Sequence, residues 1–150
     1  MPQSLARILV HVTFSTKNRT ACLSRAIQKE LYAYTAAVLK NLRCSAIQIG
    51  GVADHVHILC VLSKNVSVAQ LVEAVKKPTS KWLKSKGPAF TGFHWQAGYG
   101  AFSVSQSNVE KVRAYIANQE KHHRKLSFEE EFRRLLGKHR VAYDERYLWD

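Results

Sequence analysis

Between Arg7 and Phe14 apolar side chains fall at every second position. Ile8, Val10, Val12 and Phe14 share one face, which predicts a β-strand. The period then lengthens. Ile27, Leu31, Tyr34, Val38 and Leu42 recur at helical spacing behind Ser24, a good N-cap, so a helix is predicted to about Asn41. Two strands follow, Ser45–Ala53 and Val56–Leu62, joined by a turn around Asp54. Ser67 caps a second predicted helix with the stripe Val68, Leu71, Val72, Val75 and Trp82. Pro78 interrupts it, lacking a donor and crowding the preceding turn, so a kink or a break into two helices is expected there. Phe102–Ser105 reads as a short strand. Ser107 and Glu110 have the spacing of a capping box, which predicts a helix from Ser107 to about His122. A last helix spans about Phe128–Leu136. Glu129–Glu131 at its start and Arg133, Arg134 and Lys138 toward its end suit the helix dipole.

The order is strand, helix, strand, strand, helix, strand, then helices. It predicts an α+β fold: a ferredoxin-like split βαβ antiparallel sheet with helices added at the C-terminus. One domain over residues 1–150 is expected, because the chain has no repeat, low-complexity segment or long linker. Apolar residues make up 46% of it, enough for a real core. No apolar run is long enough to span a bilayer, and Ile8–Phe14, interrupted by His11, reads as a strand and not a signal peptide.

Charge narrows the partners. Lys and Arg total 23 against 11 Asp and Glu, a net +12, which favours a polyanion such as nucleic acid. The three cysteines, Cys22, Cys44 and Cys60, match no metal-ligand spacing. They suit reduced thiols and a cytoplasmic protein.

Two constellations carry chemistry. His55 and His57 lie two apart in a strand, so both imidazoles project from one face and can grip one divalent cation. The strand is apolar on both sides, so another element must cover the histidine face. Tyr115 and Gln119 lie four apart in the predicted helix, beside its stripe of Val109, Val112 and Ile116. Each constellation alone is equally at home as core packing.

Together and in order, these pieces resemble a family. Asp54–Leu59 (DHVHIL) looks like the metal motif of the HUH single-tyrosine transposases of the insertion-sequence 200/605 type, which include the REP-associated tyrosine transposases. Ala114–Gln119 (AYIANQ) resembles their nucleophile helix. Ser15–Arg19 and Phe93–Ser105 resemble flanking segments, and the likeness runs from about Val10 to Leu136. The resemblance implies that His55, His57 and Gln119 bind Mg²⁺ or Mn²⁺. It implies that Tyr115 cleaves single-stranded, hairpin-bearing DNA through a covalent 5′-phosphotyrosine and later rejoins it. It also favours a homodimer with shared sites, the tyrosine being given in trans; a monomer whose own helix folds back over the histidine face is the alternative.

For binding, Lys17, Arg19, Lys81 and Lys84 are candidate phosphate contacts, and Trp95 and Tyr99 candidate stacking platforms for unpaired bases. His11 has no assigned role, and His122 is either a base, a DNA contact or a helix end. Three alternatives stand beside transposition: a domesticated relative that processes repeated palindromes, a non-catalytic ferredoxin-like module binding single strands, and a small metallohydrolase in which Tyr115 is structural.

Overall fold

The computed structural model describes residues 2–150. Four strands, β1 (Ile8–Ser15), β2 (Ala46–Val52), β3 (His55–Leu62) and β4 (Gly100–Val104), form one sheet in the order β2-β3-β1-β4. Every neighbouring pair is antiparallel. With α1 (Arg25–Asn41) after β1 and α2 (Val68–Lys84) after β3, this is the expected ferredoxin-like sheet.

The alternation along β1 and β3 separates two faces. Val10, Val12 and Phe14 point with Val56, Ile58 and Cys60 into the main core, where α1 and α2 cover them with Leu31, Leu39, Leu71 and Val75. The opposite face carries Leu9, His11 and Thr13 from β1 and His55, His57 and Leu59 from β3, all buried. That face is covered by α3 (Val109–Ala117), α4 (Gln119–His122) and α5 (Phe128–Lys138). The sheet is therefore the middle of three layers, which is why β3 is apolar on both sides.

Two glycines let the second layer approach closely. A Cβ on Gly50 in β2 would lie 2.6 Å from the carbonyl oxygen of Ile116 in α3. A Cβ on Gly100 in β4 would lie 2.6 Å from the ring of Phe132 in α5.

Three local expectations change. α2 runs unbroken through Pro78, because the stripe continues on both sides of it, through Leu71, Val72 and Val75 before and Thr79 and Leu83 after. That burial outweighs the lost backbone bond. Ser107 does not cap α3: residues Gln106–Asn108 already form a 3₁₀ turn, and the extended residue before it is Ser105. The Ser107 hydroxyl faces that of Ser105 at 3.0 Å, and Asn108 occupies the N-cap without a side-chain bond. The single helix expected over Ser107–His122 is broken at Asn118, whose φ of −100° and ψ of 22° leave the helical region. A capping box does occur later, between Ser127 and Glu130 at the start of α5. Cys44 and Cys60 are buried, Cys22 is half-buried, and all three are free thiols. Among the described residues no helix is long and apolar enough to cross a membrane.

Candidate active site

The site forms where the three elements of the outer layer meet the histidine face of the sheet. In the β1–β3 register Thr13 lies opposite His57 and Ser15 opposite His55, so these short side chains leave room beside the imidazoles. His11, one pleat further along β1, reaches His57: its Nε2 lies 2.8 Å from His57 Nδ1. Asp54, in the β2–β3 turn, holds the other ring, with Oδ1 2.6 Å from His55 Nδ1. Both Nε2 atoms thus turn away from the sheet toward the helices.

What they meet is Glu131 of α5, a carboxylate only 1% exposed. Its Oε1 lies 2.8 Å from His57 Nε2 and 3.3 Å from His55 Nε2. Its Oε2 accepts from Gln119 Nε2 at 3.0 Å and from the Tyr115 hydroxyl. Gln119 turns its amide oxygen to His55 Nε2, 3.0 Å away. The break at Asn118 reorients the chain after α3, and beyond α4 it brings His123 in, with Nε2 3.2 Å from Glu131 Oε2. The donor atoms of His55, His57, His123 and Glu131 all lie within 4.8 Å of one another. Donors about 2 Å from one ion lie roughly 3–4 Å apart, so a small closing of this cluster would let it hold a single divalent cation.

The electrostatics are those of a buried charge cluster. Burial favours the neutral acid of Glu131, but the imidazoles of His123, His55 and His57 crowded against it outweigh that and hold the carboxyl well below the usual range. Burial likewise opposes charge on His55, yet Asp54 and Glu131 together raise it to about 9. His57, fully enclosed, is pushed down by burial. His11 falls to about 3, through burial and the neighbouring His57. The Tyr115 hydroxyl is pushed up, first by burial and then by its bond to the Glu131 carboxylate. These surroundings keep the phenol neutral.

Tyr115 stands at the inner end of a cleft of about 630 Å³. Lys111, Arg134 and Lys138 line this cleft beside His122 and His139 and give it a basic wall. His122 lies against the tyrosine ring, with centroids 4.7 Å apart.

The residues singled out in the sequence are sorted accordingly. His55, His57, Tyr115 and Gln119 converge, and within one chain: the Tyr115 and His57 rings are 5.9 Å apart. Within a single chain these groups assemble without a partner's tyrosine. Lys81 and Lys84 are exposed, but α2 lies on the other side of the sheet from Tyr115. Arg19 is tied to the C-terminal segment, 3.7 Å from Glu129 and stacked over Trp149. Lys17 is exposed, as is Tyr99, which lies beside Lys76. Trp95 is a core residue, boxed by Phe14 and Phe93 with its indole N–H on Thr79, so its ring has no face free for a base.

Glu131 and His123 were not singled out in the sequence. Glu131 left a signal nonetheless, since Phe128, Glu131, Phe132 and Leu136 share one buried stripe and Glu131 is the charged residue on it. His123 left none, because its position depends on the break at Asn118.

The comparisons with known proteins bear on this arrangement. No curated protein matches the chain. A protein of Deinococcus radiodurans R1 classed provisionally as a transposase superposes with a TM-score of 0.62 at 20% identity, over 79% of this chain and 98% of that one. A REP-associated tyrosine transposase bound to a REP hairpin superposes with a TM-score of 0.61 at 13% identity, over 82% of this chain and 73% of that one. At such identities the likeness is one of fold, and it extends to the four-stranded sheet with its helices. The family model described as "Transposase IS200 like" matches residues 4–119, from before β1 to the glutamine of the site. A match over that span, ending in the helices that carry Tyr115 and Gln119, shows that the chain belongs to the IS200-like transposase family.

Proposed function

We propose that this transposase is a metal-dependent DNA strand-transferase that cleaves and rejoins single strands through Tyr115. The observation that carries the reading is the convergence of the Tyr115 hydroxyl, the His55–His57 pair and Glu131 at the end of a basic cleft. A divalent cation held there, Mg²⁺ or Mn²⁺, would polarise the phosphoryl oxygens and offset the charge that develops on them.

The chain's own groups account for the rest. Lys111, Arg134 and Lys138 hold the phosphodiester backbone in the cleft. The Tyr115 oxygen attacks phosphorus while its hydrogen passes along the existing bond to Glu131. A Tyr–O–P bond forms, and the P–O3′ bond breaks. The 3′ oxygen takes up a proton and leaves as a hydroxyl, with the 5′ phosphate on the tyrosine. Attack by a 3′-OH on the same phosphotyrosine reverses the step, so the bond energy is kept and no nucleotide cofactor is consumed. His11 and Asp54 fix the tautomers of His57 and His55, each holding the Nδ1 so that Nε2 would be left to hold a cation.

The substrate is single-stranded DNA carrying a hairpin. This reading is supported by the hairpin-bound relative of the same fold, and it serves either element transposition or the processing of repeated palindromes. Each chain acts with its own tyrosine. The test is a denaturing gel of protein incubated with labelled hairpin-bearing single-stranded DNA and Mn²⁺. Wild type should give a shifted, denaturation-resistant band that Tyr115→Phe and chelator both abolish. A normal band from Tyr115→Phe, or full cleavage in excess chelator, would overturn the proposal.

A further inference from the structure

We infer that the C-terminal segment completes the metal centre: Glu131 and His123 are ligands alongside His55 and His57. The inference rests on the metal-dependent reading above and deepens it.

The three imidazole rings share one orientation of their nitrogens. All three histidines are anchored through Nδ1, His55 by Asp54 at 2.6 Å, His57 by His11 at 2.8 Å, and His123 by the carbonyl of Leu126 at 2.5 Å. All three Nε2 atoms turn to one point, occupied by the Glu131 carboxylate. An imidazole fixed through one nitrogen by a hydrogen-bond partner, with the other nitrogen free and inward, is the arrangement metal-binding histidines adopt.

Glu131 is also an overcrowded acceptor. A carboxylate offers about four lone-pair sites. His55, His57, His123, Gln119 and Tyr115 all crowd Glu131, which is more than it can satisfy. The surplus falls on His123. Its Nε2 is buried and, although 3.2 Å from Oε2, lies off the hydrogen-bonding direction and has no partner. A lone pair on that atom, aimed at a cation between the rings and the carboxylate, removes the defect. The two carboxylate oxygens then divide the work: Oε1, nearest His55 and His57, faces the ion, and Oε2 remains the acceptor of Tyr115.

The donor set decides the chemistry of the ion. Three imidazoles with one carboxylate suit a transition ion, Mn²⁺ or Zn²⁺ among them, better than Mg²⁺, which prefers oxygen donors and water. It also ties the fold to the ion, since Glu131 belongs to α5, outside the 4–119 span of the family match.

Direct Mn²⁺ titration of the full chain, by calorimetry and by electron paramagnetic resonance, tests this. Wild type should bind one Mn²⁺, and pulsed spectra should show three coordinated imidazole nitrogens. Glu131→Gln should weaken binding by about 100-fold or more, His123→Ala by about 10–100-fold, and Gln119→Ala by under about 10-fold. Two coordinated nitrogens in wild type, or wild-type affinity in a folded Glu131→Gln, would overturn the inference. So would a folded Glu131→Gln and His123→Ala that bind as wild type while His57→Ala does not, and that result would leave the two-histidine site standing. Wild-type protein that binds no Mn²⁺ at all would overturn both readings. If Glu131→Gln does not fold, the nitrogen count on wild type still decides.

Discussion

Replacing Gly50 with alanine puts one methyl group between β2 and the helix that carries Tyr115. That methyl would sit 2.6 Å from the Ile116 carbonyl oxygen and 3.0 Å from its Cγ2. Ordinary contact begins at 3.4 Å, so the backbone of Ile116 must retreat by about 0.8 Å. The obstacle is backbone, so rotation of a side chain cannot relieve it. Overpacking of this kind costs about 1–3 kcal/mol, which for a domain of this size lowers the melting temperature by several degrees. Tyr115 immediately precedes Ile116 in α3 and moves with it. A displacement near 1 Å of a reacting group costs on the order of 10²-fold in rate. The control is Gly92→Ala, the same chemical change where nothing lies within 4 Å. Urea denaturation gives the stability and single-turnover formation of the protein–DNA adduct gives the rate. Gly50→Ala should lose both and Gly92→Ala neither. Wild-type stability in Gly50→Ala would refute the packing argument, and a stability loss without a rate loss would show that α3 does not set the position of Tyr115.

Three further outcomes follow from the site. Tyr115→Phe protein mixed with His57→Ala protein, with subunit exchange demonstrated, should recover no cleavage, because each chain supplies its own tyrosine; recovery would mean a shared site. In chelator-treated protein the His55 pKa of about 9 stands above the value of 6.5 for a free histidine, so its charge stabilises the fold fully below about pH 6.5, and that contribution, on the order of 3 kcal/mol at most, is lost as pH rises through about 9. Urea midpoints from pH 6 to 10 should fall, and a flat profile would contradict the assignment. Exchanging Lys111, Arg134 and Lys138 for glutamine should weaken single-strand binding and shrink its salt slope by about 0.7 per lost contact, whereas Lys81→Gln with Lys84→Gln should leave both near wild type; the reverse pattern in a salt titration would move the DNA to the α2 side.

The parts of this protein visible in its sequence are those governed by local period. Alternation at Val10, Val12 and Phe14 and around His55 and His57 gave the strands their faces, and the order of elements led to the correct sheet. The motif residues His55, His57, Tyr115 and Gln119 do meet. Failures arose where tertiary contacts decide. A Ser107–Glu110 spacing identical to a capping box is overridden because the chain is already turning at Gln106. Trp95 has the chemistry of a base-stacking platform, but only packing reveals that Phe14 and Phe93 enclose it. Glu131 was hidden among three consecutive glutamates, two of which do serve the helix start. Separating it from them required weighing its place on the Phe128–Phe132–Leu136 stripe above its charge.

Strand transfer through Tyr115 requires one covalent bond, between the Tyr115 oxygen and a 5′ phosphate. Trypsin cuts after Arg113 and Lys121, so the peptide Ala114–Lys121 carries Tyr115 as its single tyrosine. Mass spectrometry of the purified adduct, after nuclease trimming and tryptic digestion, locates the nucleotide directly. The account predicts that this peptide, and no other, gains the mass of a phosphate-linked nucleotide on Tyr115. A nucleotide found on Tyr99 or elsewhere, or cleaved DNA with no modified peptide, would contradict it.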